Sequence, residues 1–253
     1  MLSGHKIVIA GAGGLLGARV VASALEQGAR VVAVDIDLEA MSTKLTTQGC
    51  DLDSPNLQLV RLDVTNEIEL KAFFIDYKGI TGAVNGTYPR NKTYGAHFFD
   101  VSLASFNENL SLHLGSTFLF TQQCAAYFKV HEEPFSLVNI SSIYGVIAPK
   151  FKVYNNTPMT MPVEYAAIKS AILHLNKYVS AYVNDSRFRI NSVSPGGLFD
   201  NQDEHFLKAY KEETRGTGML EVDDVVGSII FLLSTQSKFV VGQNIVVDDG
   251  FSL

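Results

Sequence analysis

Seven short runs of aliphatic and β-branched residues recur along the chain, separated by longer stretches with helical spacing. Most of these runs are apolar on both faces, which is typical of strands buried in a parallel sheet. Strands that alternate with helices predict βαβ units, so we expect an α/β fold over residues 1–253. It would be a single doubly wound, seven-stranded, mostly parallel sheet with helices on both faces. The predicted strands are Lys6–Ala10, Arg30–Val34, Leu57–Arg61, Gly82–Val84, Ser136–Ile140, Arg189–Val193 and Gln243–Val247.

Four of the stretches between strands show apolar residues at clear helical spacing. A different stretch, residues 149–162, contains three prolines and little periodicity, and it predicts a long surface loop. Loops of this length in a compact domain are usually functional or disordered, and we expect a functional one. The predicted helices are Leu15–Gln27, Phe106–Phe128, Pro162–Val183 and Val222–Leu233.

The composition excludes several classes of protein. Hydrophobic residues make up 47% of the chain, charged residues 18%, and the formal net charge is −6. The chain therefore has material for a core and lacks the basic character of a nucleic-acid binder. Two cysteines, Cys50 and Cys124, are too few for a disulfide framework. The histidines are scattered along the chain and do not form a metal site. Only Ile7–Ala10 form an apolar run before the glycine-rich segment, too short for a signal peptide or membrane span. We expect a cytoplasmic protein with no membrane partner.

A glycine-rich segment, Gly11-Ala12-Gly13-Gly14-Leu15-Leu16-Gly17, directly follows the first predicted strand and begins a helix. Glycines allow the backbone to turn tightly and approach a pyrophosphate, while the helix N-terminus offers free N–H groups and a positive dipole end. Many glycine clusters are simply turns. The order of strand, loop and helix nevertheless favours a dinucleotide site and a Rossmann-type domain.

Asp35 ends the second predicted strand. An acidic side chain there would bond the adenosine ribose hydroxyls and repel a 2′-phosphate. The segment Asp35-Ile36-Asp37-Leu38 contains no Arg or Lys to receive such a phosphate, so NAD is favoured over NADP. Alternatively, Asp35 caps the next helix.

Tyr165 and Lys169 stand four residues apart, on one face of a predicted helix. A free tyrosine has a pKa near 10 and is a poor base at neutral pH, but a nearby ammonium stabilises the phenolate and lowers that pKa. Tyr165 could then exchange a proton with a substrate hydroxyl or carbonyl while hydride moves to or from a nicotinamide. This spacing alone occurs often by chance.

Three further motifs stand in a definite order around this pair. Val138-Asn139-Ile140-Ser141-Ser142 ends a predicted strand upstream, Asn191-Ser192-Val193-Ser194-Pro195-Gly196-Gly197 follows downstream, and Gly242 to Gly250 lies near the end. Together with the glycine-rich segment, this set resembles the short-chain dehydrogenase/reductase family over essentially the whole chain.

The resemblance implies a role for each matching residue. Ser142 would orient and polarise the substrate oxygen, Tyr165 would be the acid/base, and Lys169 would tune the tyrosine and anchor the nicotinamide ribose. Ser141 is the less favoured serine, because the active one usually comes second in such a pair. Beside Gly11, Gly13, Gly14, Leu15, Leu16, Gly17 and Asp35, the cofactor contacts would be Ile36, Asp63, Val64, Asn85, Gly86, Tyr165, Lys169, Pro195, Gly196 and Leu198.

The chain departs from the family pattern at several positions. Its glycine spacing is that of the extended, sugar-nucleotide branch, although its length fits the short branch. Asn85-Gly86-Thr87-Tyr88 replaces the usual Asn-Asn-Ala-Gly-like segment. Ser142 and Tyr165 also lie further apart than is usual in the short branch. The surplus falls in the 149–162 loop, which we expect to be a substrate-facing lid offering Lys152, Tyr154, Asn155 and Asn156 to a polar or phosphorylated sugar.

A histidine occupies the helix position where the family usually has an asparagine that holds a proton-relay water. Aligning Phe118–Gln122 with the family helix places His113 there, whereas an alignment on Asn109 requires a shift of one helical turn. His113 could carry protons itself, since its unperturbed pKa is near 6.5. A purely structural histidine is the other interpretation.

Segments around the catalytic motif and at the chain end resemble a narrower subgroup. They are Ile143–Gly145, Met159–Tyr165 and Asp248–Leu253, and they are similar to bacterial short-chain dehydrogenases of flagellin modification and nonulosonate (legionaminic-type) sugar synthesis. The resemblance implies NAD-dependent interconversion of a secondary alcohol and a ketone on an amino sugar or a derivative. It also implies a homodimer or homotetramer formed through the helices of Phe106–Phe128 and Pro162–Val183. Alternatively, the apolar residues of these helices face only the sheet.

Two other functions remain open from the sequence. An NAD-dependent sugar epimerase or dehydratase would oxidise and restore its cofactor within one turnover, which the extended-type glycine spacing favours. Against it, the chain is too short for the extra substrate domain that such enzymes usually have. A non-catalytic NAD-binding module is disfavoured because Ser142, Tyr165 and Lys169 are all present.

Overall fold

A computed structural model describes residues 1–253 and contains one seven-stranded sheet. Its strand order is β3-β2-β1-β4-β5-β6-β7, and every neighbouring pair is parallel. The predicted doubly wound sheet is therefore confirmed, and it is wholly parallel. Each predicted strand is present within two residues of its predicted bounds. The strands are β1 Lys6–Ala10, β2 Arg30–Asp35, β3 Leu57–Arg61, β4 Gly82–Asn85, β5 Phe135–Ile140, β6 Phe188–Pro195 and β7 Asn244–Val247.

The four predicted helices are present, and one of them is interrupted. The predicted helix Phe106–Phe128 is a longer helical run, Leu103–His131, with a π-helical segment at Leu110–Gly115. Three further helices (α2, α3 and α7) have ten residues or fewer, and their apolar spacing is too brief to stand out in the sequence. The helices are α1 Leu15–Glu26, α2 Leu38–Thr47, α3 Glu67–Asp76, α4 Leu103–Asn109, α5 Ser116–His131, α6 Val163–Val183, α7 Glu204–Lys211 and α8 Val222–Leu233.

The core lies on both faces of the sheet because side chains alternate along each strand. On one face, Ile7 and Ile9 pack with buried residues of α1 and α8. On the other face, Val8 and Ala10 pack with α3 and α5. No helix is long and apolar enough to cross a membrane.

The segment 149–162 is only partly the surface loop that the sequence predicts. Phe151–Tyr154 forms a 3-10 turn, and Val153 is buried in a third, smaller cluster beyond the carboxyl edge of the sheet. Lys150 donates a hydrogen bond to the carbonyl oxygen of Phe251 at 2.6 Å and pairs with Glu213 at 3.2 Å. The prediction missed this packing because the anchoring residues lie far away in the sequence.

Candidate active site

Two adjoining cavities lie at the carboxyl edge of the sheet, where open α/β sheets bind ligands. The first has a volume of about 670 Å³ and includes Ser142, Tyr165 and Lys169 in its lining. The second has a volume of about 550 Å³ and is lined by the glycine-rich segment and the ends of β2 and β3. Residues 86–88 belong to both linings, so the cavities form one continuous cleft.

The glycine-rich segment turns tightly between β1 and α1. Gly11 has a φ of +82°, and its amide donates to the Val34 carbonyl oxygen at 3.0 Å. A Cβ at this position would stand 2.9 Å from the carbonyl group of Gly86. No side chain caps the N-terminus of α1, so its first amides face a cavity that can hold an anion. These features fit the pyrophosphate of a dinucleotide.

Asp35 lies at the end of β2 and lines the second cavity. Its Oδ2 atom accepts a hydrogen bond from the Gly13 amide at 2.9 Å. The alternative that Asp35 caps the next helix is wrong, because Asp37 caps α2 by accepting from the Ala40 amide at 3.0 Å. The carboxylate of Asp35 is therefore held at the rim of the cleft, where a ribose could reach it.

Most of the predicted cofactor residues line the cleft, and two do not. Gly17 lies beneath the glycine-rich segment, where a Cβ would collide with the Gly11 carbonyl oxygen. Asn85 is buried, and its Oδ1 atom accepts hydrogen bonds from the amide and hydroxyl of Thr87. Those in the second cavity are Gly11, Gly13, Gly14, Asp35, Ile36, Asp63, Val64 and Gly86. Those in the first are Leu15, Leu16, Gly86, Tyr165, Lys169, Pro195, Gly196 and Leu198.

Tyr165 and Lys169 lie one turn apart on α6, beside the end of β5. The Lys169 Nζ atom is 5.5 Å from the centroid of the Tyr165 ring and donates to the Ile140 carbonyl oxygen at 2.8 Å. Ser142 lines the same cavity and lies close enough to Tyr165 to influence its pKa. The hydroxyl of Ser141 instead donates to the Lys169 carbonyl oxygen at 2.8 Å. Ser142 is therefore the serine beside the tyrosine, as the sequence predicts.

Burial determines the protonation of this pair. It raises the pKa of Tyr165, and the nearby Ser142 hydroxyl opposes that rise only in part. Burial also lowers the pKa of Lys169 to about 7. The sequence predicted a lowered pKa for Tyr165, whereas its net pKa is raised, because the loss of water around the buried phenol outweighs the groups that favour the phenolate.

His113 lies in the π-helical segment and faces the catalytic pair. Its Nε2 atom is 3.5 Å from the Lys169 Nζ atom. Burial, together with the charge of Lys169, lowers the pKa of His113 to about 2. Asn109, one turn earlier, is bound to Asn91 and Glu164 instead. The alignment that places His113 beside the lysine is therefore the one the structure supports.

Aromatic and methionine side chains line much of the substrate side of the first cavity, and the sequence did not identify most of them. The 149–162 segment contributes Tyr154 there, whereas Lys152, Asn155 and Asn156 are absent from the lining. Lys152 instead pairs with Glu213 at 2.6 Å. The prediction for these three residues is wrong, because the 3-10 turn buries Val153 and leaves Lys152 exposed, and Asn155 and Asn156 follow the turn and are also exposed. The side chains that the sequence missed are Tyr88, Tyr144, Met159, Met161, Phe206, Tyr210 and Met219.

Arg90 is a cation that the sequence analysis overlooked, and it lines the second cavity together with Asp35. Its guanidinium lies 4.9 Å from the centroid of the Tyr88 ring. The sequence signal that could have drawn attention to Arg90 is the neighbouring segment 85–88, which departs from the family pattern.

A wholly parallel sheet with a Ser–Tyr–Lys cluster at its carboxyl edge is the architecture of Rossmann-type oxidoreductases. A family model described as enoyl-(acyl carrier protein) reductase matches residues 11–252. The chain belongs to the short-chain dehydrogenase/reductase family.

Two relatives and one solved structure show how the chain is related within this family. Flagellin modification protein A from Campylobacter coli is 36% identical over 100% of both chains. A 7α-hydroxysteroid dehydrogenase from Bacteroides fragilis is 26% identical over 98% of this chain and 94% of its own. A short-chain dehydrogenase from Leptospira borgpetersenii, solved with bound NAD+, has a TM-score of 0.87 and 29% identity. The match covers 100% of this chain and 94% of that one.

Proposed function

We propose that the protein is an NAD-dependent oxidoreductase that interconverts a secondary alcohol and a ketone on an amino sugar or a sugar derivative. The observation that supports this most directly is the position of Ser142, Tyr165 and Lys169. They meet in a cavity that is continuous with the glycine-rich cleft.

The catalytic residues would divide the proton chemistry between them. Tyr165, neutral at pH 7 because burial raises its pKa, donates its phenolic proton to the oxygen of a ketone that is being reduced. Ser142 donates a hydrogen bond to the same oxygen and fixes its position. In the oxidative direction, Tyr165 must first release its own proton to solvent, and the resulting phenolate then takes the proton of the substrate hydroxyl. Nicotinamide, when bound, supplies or accepts the hydride.

Lys169 and His113 would act behind the tyrosine. The Lys169 ammonium stabilises the negative charge that develops on the Tyr165 oxygen as the proton leaves. His113 stays neutral at physiological pH, since its pKa is about 2, and it accepts a hydrogen bond from Lys169 rather than becoming charged. It therefore orients the lysine and does not carry the proton as an imidazolium.

NAD is the proposed cofactor because Asp35 lines the second cavity with its carboxylate fixed by the Gly13 amide. A 2′-phosphate there would be repelled. The solved Leptospira relative contains NAD+, which supports the same cofactor.

A sugar-type substrate, in bacterial surface-glycan or flagellin-modification biosynthesis, is proposed from the Campylobacter relative and from the lining of the first cavity. That lining offers several hydroxyls, including those of Tyr144, Tyr154 and Thr160, beside the apolar surfaces of Met159 and Met161. Hydroxyls bind the polar edges of a sugar, and flat apolar surfaces pack on its faces. The 149–162 segment would thus contact the substrate directly.

The test is NADH formation or consumption against amino-sugar phosphates, nucleotide sugars and simple secondary alcohols, with Y165F beside the unmodified protein. We expect a sugar-specific signal that Y165F loses while it still binds NAD. A signal that persists in Y165F would refute the proposed role of the tyrosine.

An epimerase or dehydratase with internal redox chemistry is a second candidate. It is favoured by the spacing of Gly11, Gly14 and Gly17, which is that of the extended branch of the family. It predicts sugar product without net NADH change. A non-catalytic NAD-binding module would instead keep its cellular function in Y165F.

A further inference from the structure

Tyr88 lies at the junction of the two cavities and touches three residues of the proposed catalytic centre. Its ring centroid is 5.6 Å from that of Tyr165 and 5.0 Å from that of His113, both edge to face. The Lys169 Nζ atom lies 5.8 Å from the same centroid. In the sequence, Tyr88 stands out only as part of a segment that departs from the family pattern.

Lys169 has few partners for a buried positive charge. The Ile140 carbonyl oxygen accepts at 2.8 Å, and the His113 Nε2 atom is more distant at 3.5 Å. No carboxylate forms an ion pair with this lysine. An ammonium in such surroundings is costly unless other groups compensate for the lost water. The remaining groups close to it are the rings of Tyr165 and Tyr88.

We propose that Tyr88 is a positioning residue that holds the Lys169 ammonium charge at the catalytic centre by presenting its ring to it. Aromatic rings attract cations within about 6 Å of the centroid through the negative face of the ring. The Lys169 Nζ atom lies at a similar distance from two such rings, one on α6 and one on the segment after β4. This inference refines the proposed site, but its test does not depend on the proposed reaction.

The position of Tyr88 is fixed on both sides along the chain. Before it, Thr87 is bound to the Asn85 carboxamide through its amide and its hydroxyl. After it, the Asn91 amide donates to Asn109 Oδ1 at 3.0 Å, and the Asn91 side chain donates to Glu108 at 2.7 Å. The ring is therefore held at the lysine by the backbone.

Several titratable or charged groups surround the pair. The buried Glu164, next to Tyr165 on α6, accepts a hydrogen bond from Asn109 at 3.3 Å. Tyr165 and His113 face Lys169 from α6 and the π-helical segment. Tyr94 hydrogen-bonds to Tyr88 through the hydroxyls, and Arg90 lies 4.9 Å from the Tyr88 ring centroid. Burial raises the pKa of Tyr88 to about 12, so its ring remains a neutral phenol throughout the range in which Lys169 titrates.

The test is a direct titration of Lys169 by NMR in protein labelled with ¹³Cε-lysine, with the signal assigned from its absence in K169M. It needs neither substrate nor cofactor, so it can fail or succeed independently of the proposed reaction. The variants are Y88F, which keeps the ring, and Y88L, which removes it. F239L is the matched control, because Lys238 lies 4.9 Å from the exposed Phe239 ring, outside both cavities.

We expect Y88L to lower the midpoint of the Lys169 titration by roughly 0.5 to 1.5 pH units, the range of a cation–π contact converted at 1.36 kcal/mol per pKa unit. Y88F should leave it within about 0.3 units of the unmodified protein, because the ring that carries the attraction remains. F239L should leave it unchanged. An unchanged midpoint in Y88L, or an equal shift in Y88F, would overturn the proposal.

A fluorinated phenylalanine introduced at position 88 provides the second variant, should Y88L fail to fold. Fluorination weakens the negative face of the ring and preserves its shape, so we expect the midpoint to fall below that of Y88F. Identical midpoints for the fluorinated and unfluorinated rings would show that Tyr88 only fills space.

Discussion

The Nε2 atom of His113 lies 3.5 Å from the Nζ atom of Lys169, within a π-helical segment that interrupts an otherwise regular helical run. The extra residue per turn in a π-helix rotates the side chains that follow it, and such bulges are frequent at functional sites. The imidazole is 2% exposed, so its position is fixed by packing rather than by water.

Replacing His113 tests whether it orients the lysine. In H113L the ammonium loses an acceptor, and we expect kcat to fall about ten- to a hundredfold, the value of a hydrogen bond to a charged group. H113N keeps an acceptor and should lose less. The control is H174N, an exposed histidine on α6. Equal losses in H113L and H113N would contradict the orienting role.

The lowered pKa of Lys169 makes stability depend on pH. In the folded state the Lys169 ammonium loses its proton above about pH 7, whereas in the unfolded chain it keeps that proton up to about pH 10.4. Between these values the unfolded state binds more protons, so the free energy of unfolding should rise with pH, by at most about 1.4 kcal/mol per unit.

The lysine contribution is isolated by comparison with K169M. Urea unfolding of both proteins from pH 6 to 10 should show the unmodified protein gaining stability relative to K169M as pH rises. If the difference in the free energy of unfolding between the two proteins is constant across this pH range, the pKa of Lys169 is not lowered in the folded state.

Asp35 should determine the choice of cofactor. D35S removes the carboxylate that would repel a 2′-phosphate. We expect this variant to bind NAD about 10- to 100-fold more weakly, and its affinity for NADP to rise relative to its affinity for NAD. Arg90 lines the same cavity, so R90Q in the D35S background should cancel the NADP gain. Calorimetric Kd values for both nucleotides give the result.

The control for this prediction is D37S. Asp37 caps α2, and serine is an equally good N-cap, so D37S should change stability little and leave the NAD to NADP ratio unaltered. A change of that ratio in D37S would mean that the local fold, not the Asp35 charge, sets the preference.

Two helical glycines should respond to alanine in opposite directions. In G17A the new Cβ collides with the backbone oxygen of Gly11, so we expect a large loss of thermal stability together with loss of NAD binding. Gly227 in α8 has open space around it, and G227A should stabilise the protein by up to about 1 kcal/mol through helix propensity. Thermal unfolding and NAD titration of both variants check this.

Self-association is predicted through the exposed aromatic side chains of α5 and α6. Phe118, Tyr178 and Tyr182 are 48%, 63% and 70% exposed. The rings of Tyr178 and Tyr182 also stack on each other, and a contiguous exposed aromatic surface of this kind marks an interface. Y178E should lower the molar mass measured by light scattering, whereas I68E, at an 80% exposed site on α3, should not. An unmodified protein that is monomeric at micromolar concentration would contradict the prediction.

Local sequence patterns predicted much of this fold. The seven strands are short runs that are apolar on both faces, and this pattern was enough to predict their positions. The glycine-rich segment was enough to predict where the cleft lies. The orientation of Lys152 and the pKa of Tyr165 were beyond reach, because Glu213 and the apolar surroundings come from distant segments. The roles of Tyr88 and Arg90 depend on how the segment after β4 folds back across the cleft, which no local pattern encodes.

The bonds from Lys150 to Phe251 and Glu213 join three stretches of chain that are distant in sequence. The 149–162 segment, which forms part of the wall of the substrate cavity, can therefore move only together with the C-terminal residues and the residues that follow α7. Selection for a new substrate could act at Phe251 or Glu213 and change how readily the cavity opens, while every group that meets the substrate stays the same.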